Sequence, residues 1–189
     1  MVCIDEASKQ QVKEPRAPLP RQGGKPERDD SEYERTGVST LFMIFAPLAG
    51  WRQGKVTDRR TRGAFAHCLN AIGAGHCSEA AQIVLVSDTL NTPNPAALSE
   101  AFAPAEARCL REKLEWHYPP KPGRWLDMAE SALSVLQRHC LDRRIPDQEP
   151  LKREVTAWER ERTQHAAKAN WRFPTQEARS KLKKLYPSF

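Results

Sequence analysis

The sequence predicts an α/β fold in which a mixed β-sheet is covered by helices. Three observations carry that expectation. Val38 to Phe45 and Trp51 to Thr57 read as strands joined by the turn Ala46-Pro47-Leu48-Ala49-Gly50, an antiparallel pair. Ile83-Val84-Leu85-Val86 is an uninterrupted aliphatic run, the pattern of a strand buried on both faces. From Thr61 onward helical and strand-like periodicities alternate, the order expected where helices pack onto a sheet.

Taken from the N-terminus, Met1 to Ile4 predicts a first strand that runs into Asp5-Glu6-Ala7-Ser8. Glu14 to Arg35 contains Pro15, Pro18, Pro20, Gly23, Gly24 and Pro26 and has no apolar face to bury, so it reads as an exposed loop. After the hairpin, Thr57 or Thr61 caps a helix over Thr61 to Ala71, which Gly73 and Gly75 end. The buried strand Ile83 to Val86 stops at Ser87-Asp88, and Asn91 to Pro95 forms a turn-rich loop. A short helix from Ala96 and a second segment through Arg111 lead to a strand over Leu114 to Tyr118. Pro119, Pro120, Pro122 and Gly123 break the chain, and a helix begins near Arg124 or Trp125. In it Ala129, Ala132, Leu133, Leu136 and Cys140 recur at helical spacing and point one face inward. Pro146 closes that unit, and Asp147 caps a last helix with the apolar stripe Leu151, Val155 and Trp158. The expected division is a domain over residues 1–145, with the exposed loop 14–35, and a basic helical C-terminal extension over 146–189.

Bulk properties narrow the function classes. At 189 residues and 39% hydrophobic content, the chain is long enough for one domain with a real core. No apolar run approaches the roughly 20 residues of a membrane span, and the charged N-terminus lacks a signal-peptide core. A cytoplasmic, nucleoid-associated protein with no membrane partner is expected. Five scattered cysteines read as reduced thiols. The pairs His67-Cys68 and His76-Cys77 suggest zinc at first sight, but adjacent residues cannot easily both chelate from a helix, so packing is the better reading. Charge is uneven: residues 1–137 hold 17 Lys+Arg against 17 Asp+Glu, whereas residues 138–189 hold 13 against 7. A basic tail of that kind suits either a phosphate backbone or a solvated helical surface.

Three carboxylates stand out by position. Asp5 follows the apolar run Val2-Cys3-Ile4, and Asp88 stands at the carboxyl end of the strand expected to be central, where open sheets place their sites. Glu130 adjoins the inward-facing Ala129 on the helix after the Pro-Gly break. Magnesium takes oxygen ligands and retains water, so a few converging carboxylates suffice to hold it. Each also has an ordinary reading, as a turn former, helix cap or solvated side chain.

At these residues a family resemblance emerges. V-C-I-D-E-A-S-K-Q (Val2 to Gln10), I-V-L-V-S-D-T-L-N-T (Ile83 to Thr92) and W-L-D-M-A-E (Trp125 to Glu130) resemble the mariner-type bacterial insertion-sequence transposases. Tyr33 to Arg52, Pro104 to Arg108, Cys140 to Asp147 and Trp171 to Pro187 agree, so the resemblance runs nearly end to end. It implies a ribonuclease-H-like fold whose catalytic and metal residues are Asp5, Asp88 and Glu130, holding two Mg2+ or Mn2+ ions. It also implies cleavage of DNA at an element's ends and attack of the freed 3′-hydroxyl on target DNA. Lys121, Arg124, Arg143, Arg144, Arg179, Lys181, Lys183 and Lys184 are the expected DNA contacts, and the expected assembly is a homodimer on DNA.

The chain departs from the family pattern in several places. Thr89, Pro93 and Asp127 replace residues that are usually Asn, His and Asn, and Pro122 stands where His is common. Asp127, three residues before Glu130, becomes a candidate fourth metal ligand. Met1 lies four residues before Asp5, which leaves no room for the helix-turn-helix region of the relatives. The expectation is therefore a truncated chain, either one half of a split gene with a separately encoded N-terminal half or a remnant. The alternative to a catalyst is a non-catalytic remnant that binds DNA or an intact transposase. A small-molecule α/β enzyme has little support, since neither G-x-G-x-x-G nor a P-loop is present. Trp116, Trp125, Trp158 and Trp171 read as core or interface packing ahead of base stacking, and His117 as structural.

Overall fold

A computed structural model describes residues 1–16, 23–24, 32–87, 95–119 and 128–169. Strands β1 (Val2–Lys13), β2 (Glu34–Ala46) and β3 (Trp51–Thr57) form an antiparallel meander. Strands β4 (Ile83–Ser87) and β5 (Leu114–His117) join in parallel on the other side of β1, giving the order β3-β2-β1-β4-β5. The described helices are α1 (Arg62–Asn70), α2 (Ala96–Ala101), α3 (Pro104–Lys113), α4 (Met128–Leu136) and α5 (Gln148–Gln164).

Strand periodicity sorts the side chains into two cores. Val2, Ile4, Phe42, Ile44, Ile83 and Leu85 bury against α1, α2 and α3 on one face. Cys3, Leu41, Met43 and Phe45 bury on the other, against Ala129, Leu133 and Leu136 of α4 and Leu151, Val155 and Trp158 of α5. Each fully buried aliphatic side chain contributes about 1.5–3 kcal/mol by leaving water. Leu136 and Leu151, both fully buried, therefore hold α4 and α5 firmly to the sheet.

The first hairpin is longer than its apolar residues suggest. β1 continues to Lys13 and β2 begins at Glu34, paired through Ser8 with Thr40 and Gln10 with Val38 as far as Lys13 with Glu34. Backbone pairing does not require apolar side chains, and here polar groups secure the ribbon. Gln11 Nε2 donates to Ser39 Oγ at 2.8 Å. The Val12 N–H donates to the Ile145 carbonyl at 2.8 Å, and the Lys9 ammonium donates to the Leu141 carbonyl.

Thr61 caps α1 as expected, its hydroxyl accepting from the Ala64 N–H at 3.1 Å. The helix does not stop at Gly73. It continues as a wide π-type turn over Ala71–His76, and only Gly75 has non-helical backbone angles. Gly73 lies inside that turn because α3 comes close: a β-carbon there would stand 2.7 Å from Leu110 Cδ2. A similar wide turn over Gln137–Leu141 prolongs α4. Asp147 caps α5 by accepting from the Glu149 N–H at 3.0 Å.

Candidate active site

Asp5 sits on the second strand residue after Cys3, so it shares the sheet face that α4 and α5 cover, and it is half-buried. Across the sheet it lies opposite Met43, which in turn lies opposite Gly54. On its other side β1 runs beside β4, with Ile4 paired to the fully buried Ser87. The chain thus leaves β4 at the level of Asp5. Asp88, the next residue, lies outside the described residues, as do Thr89 and Pro93.

Glu130 stands in the first turn of α4 and is exposed. Its neighbour Ala129 is fully buried in the same core as Cys3, and Glu130 precedes the buried Leu133 by three positions, so it borders the packed stripe. The fold accordingly brings Asp5 and Glu130 to one face of the sheet. Among the described residues no group of three or more His, Cys, Asp or Glu forms a metal cluster. The donor set on this face is carboxylate oxygen, which suits magnesium or manganese rather than a thiolate-seeking ion. Asp127 lies outside the described residues.

Of the expected DNA contacts, Arg143 and Arg144 are described, and both are engaged within the chain. Arg143 forms an ion pair with Glu154. Arg144 pairs with Glu14, donates to the Glu32 carbonyl at 3.2 Å and sits 5.8 Å from the Tyr33 ring centroid. Lys121, Arg124, Arg179, Lys181, Lys183 and Lys184 lie outside the described residues, as do Pro122, Trp125 and Trp171. Trp158 is buried and Trp116 packs on the opposite core. His117 bonds Glu115 at 2.7 Å. In the two His-Cys pairs the side chains separate. Cys68 is buried in the core, where desolvation pushes its thiol up to about 12. His67 packs edge-on against Phe102, and His76 stacks on Trp51 with ring centroids 3.9 Å apart.

Two charged residues that sequence reasoning passed over stand on the α4 and α5 face. Arg52 of β3 is only 3% exposed, and Arg162 of α5 lies beside it. Burial, then the proximity of Arg162, pull the Arg52 guanidinium down from its ordinary pKa. The signal was present in strand parity: Arg52, Gly54 and Val56 share one face of β3, and Val56 belongs to the core.

With this geometry in view, comparison with known proteins becomes informative. A family model described as DDE superfamily endonuclease matches residues 1–152. The chain belongs to that family. The fold of the DDE domain is also similar to that of a solved structure described as the Mos1 mariner paired end complex with Mn. The TM-score is 0.53 at 15% sequence identity, over 88% of this chain and 51% of that one. The DDE domain thus has a ribonuclease-H-like fold and spans about half the length of that mariner chain. The expected kinship with mariner-type transposases agrees with both findings. No curated protein sequence matches the chain.

Proposed function

We propose that this DDE domain is the catalytic part of a transposase, cutting and joining DNA strands with divalent metal held by Asp5, Asp88 and Glu130. The observation that supports the reading is that Asp5 lies on the sheet face covered by α4, whose first turn carries Glu130, in a chain of the DDE endonuclease family. Asp88 is the residue after Ser87, which pairs with Ile4 next to Asp5, and that adjacency in sequence supports assigning it to the same site.

Magnesium or manganese, when bound, supplies Lewis acidity that polarises the phosphodiester and eases deprotonation of the attacking hydroxyl. The protein's part is to orient. Asp5 is fixed by its pairing with Met43 of β2, one residue beyond the last β4 pair at Ile4, and Glu130 by a helix whose neighbouring Ala129 is locked in the core. Carboxylates mounted on rigid elements need little reorganisation as charge develops, which is where such sites gain rate. Two ions, a homodimer on DNA and a cytoplasmic location belong to the same reading. The mariner neighbour's description as a paired end complex with Mn supports DNA as the partner.

The test is nicking of supercoiled plasmid by purified protein in magnesium or manganese, with Asp88→Ala as control. Metal-dependent nicking that the variant loses is expected. A folded protein that binds DNA yet never nicks it would favour a non-catalytic remnant.

A further inference from the structure

Beside the turn that carries Glu130 lies a cavity of about 310 Å3 whose walls include Arg52, Arg162 and Lys168 together with Met128, Ser131 and Phe45. Among the described residues no carboxylate lines it. Arg52 donates from Nη2 to the Ala167 carbonyl at 2.5 Å, and its guanidinium carbon lies 4.7 Å from the Phe45 ring centroid and 5.4 Å from that of Trp158. The Arg162 guanidinium stands 5.9 Å from the same Trp158 ring. The aromatic faces offset part of the cost of bringing two like charges together. They do not satisfy the donors: Arg52 Nε, Arg162 Nε and Trp158 Nε1 are all buried without an acceptor among the described residues.

Buried donors are nearly always bonded, and leaving several unmade beside two guanidinium groups is costly. Among the described residues the pocket is short of acceptors and of negative charge at once. A tetrahedral anion corrects both, since its oxygens match the guanidinium fork and carry the missing charge.

We propose that the Arg52–Arg162–Lys168 pocket is a phosphate-binding subsite that holds a backbone phosphate of the DNA strand being processed. The DNA assignment rests on the transposase reading; the anion site itself does not. Strand register supports the placement. Arg52 lies across from Phe45, which lies across from Cys3, two residues before Asp5 on β1. Two strand spacings and two residue rises separate Arg52 from Asp5 by roughly 12 Å. That spans about two nucleotide steps of a DNA strand, whose backbone winds about the axis as it rises about 3.4 Å per nucleotide, so a strand reaching Asp5 can also lay a phosphate on this pocket. Met128 and Ser131, either side of Glu130 in the same turn, form part of its wall.

Two readouts test this, both on the full chain. In the first, inorganic phosphate replaces chloride at matched ionic strength while thermal unfolding is followed. At tenfold above its Kd, phosphate should raise the wild-type Tm by about 3–5 °C. Arg162→Gln should lose that rise, and Arg162→Lys should keep part of it. In the second, binding of a short duplex is measured against salt without divalent metal, so that catalysis plays no part. Arg162→Gln and Lys168→Gln should each lower the salt slope by about 1.

A phosphate effect that vanishes in Arg162→Gln while the DNA slope stays unchanged would overturn the DNA assignment. No phosphate effect on the wild type would overturn the site. Failure of plasmid nicking alone, with both readouts intact, would count against the transposase reading and not against this pocket.

Discussion

Helix α5 can seat on β3 only because residue 54 is glycine. A β-carbon at Gly54 would lie 2.4 Å from Val155 Cγ1, closer than side chains approach one another. Val155 is itself 1% exposed, and the Gly54 N–H donates to Glu159 Oε2 at 3.0 Å, so neither partner can simply turn away. Gly54→Ala must therefore push α5 outward, at about 1–3 kcal/mol for an overpacked contact. Val155→Ala removes two methyl groups and leaves a hole, at about 2 kcal/mol. In the double variant the new alanine methyl occupies the space that Val155 vacates. The two losses should then not add, and a coupling of about 1–2 kcal/mol in the favourable direction is expected. Urea unfolding of wild type, both single variants and the double variant measures it, provided the slope with denaturant stays constant. Strict additivity, or a Gly54→Ala variant as stable as wild type, would refute the close packing of α5 on β3.

Two further outcomes follow from the buried titratable groups. Burial raises the Glu159 carboxyl above its ordinary value of 4.5, despite the Gly54 hydrogen bond that lowers it. The folded state therefore binds the proton more tightly than the unfolded one, and stability falls as pH rises from about that ordinary value through the raised folded value. Glu159→Gln removes this drop, so the stability of wild type relative to the variant should decline over that window; a flat difference would contradict it. Cys68 is buried with its thiol pushed up to about 12, whereas Cys109 is exposed. Alkylation at pH 8 should modify Cys109 in the native protein and Cys68 only on unfolding, and mass spectrometry distinguishes the two.

Much of the fold was legible in the residues because burial follows periodicity. The aliphatic run Ile83 to Val86, the hairpin turn at Ala46 to Gly50, the Thr61 and Asp147 caps and the stripe Leu151, Val155, Trp158 all lie where their patterns put them. The polar halves of β1 and β2 were not legible. Their pairing rests on backbone bonds and on the Gln11–Ser39 contact, neither of which leaves a hydrophobic signal. Gly73 misled for a related reason: a glycine that ends a helix and one that admits a neighbouring leucine look the same in sequence. At the site, the apolar run Val2-Cys3-Ile4 drew attention to Asp5, which lies inside the longer β1 rather than at a strand end, and adjacency to the buried Ala129 drew attention to Glu130. Arg52 was missed because a charged residue on a short strand reads as solvent-facing until the parity of Gly54 and Val56 is considered.

The central claim is that Asp5, Asp88 and Glu130 form one metal site, and direct titration with manganese followed by electron paramagnetic resonance tests it without requiring DNA. Wild type should bind Mn2+, and Asp5→Asn, Asp88→Asn and Glu130→Gln should each weaken binding by more than about tenfold while the fold persists by circular dichroism. Equal Mn2+ affinity in wild type and all three variants would contradict the shared site.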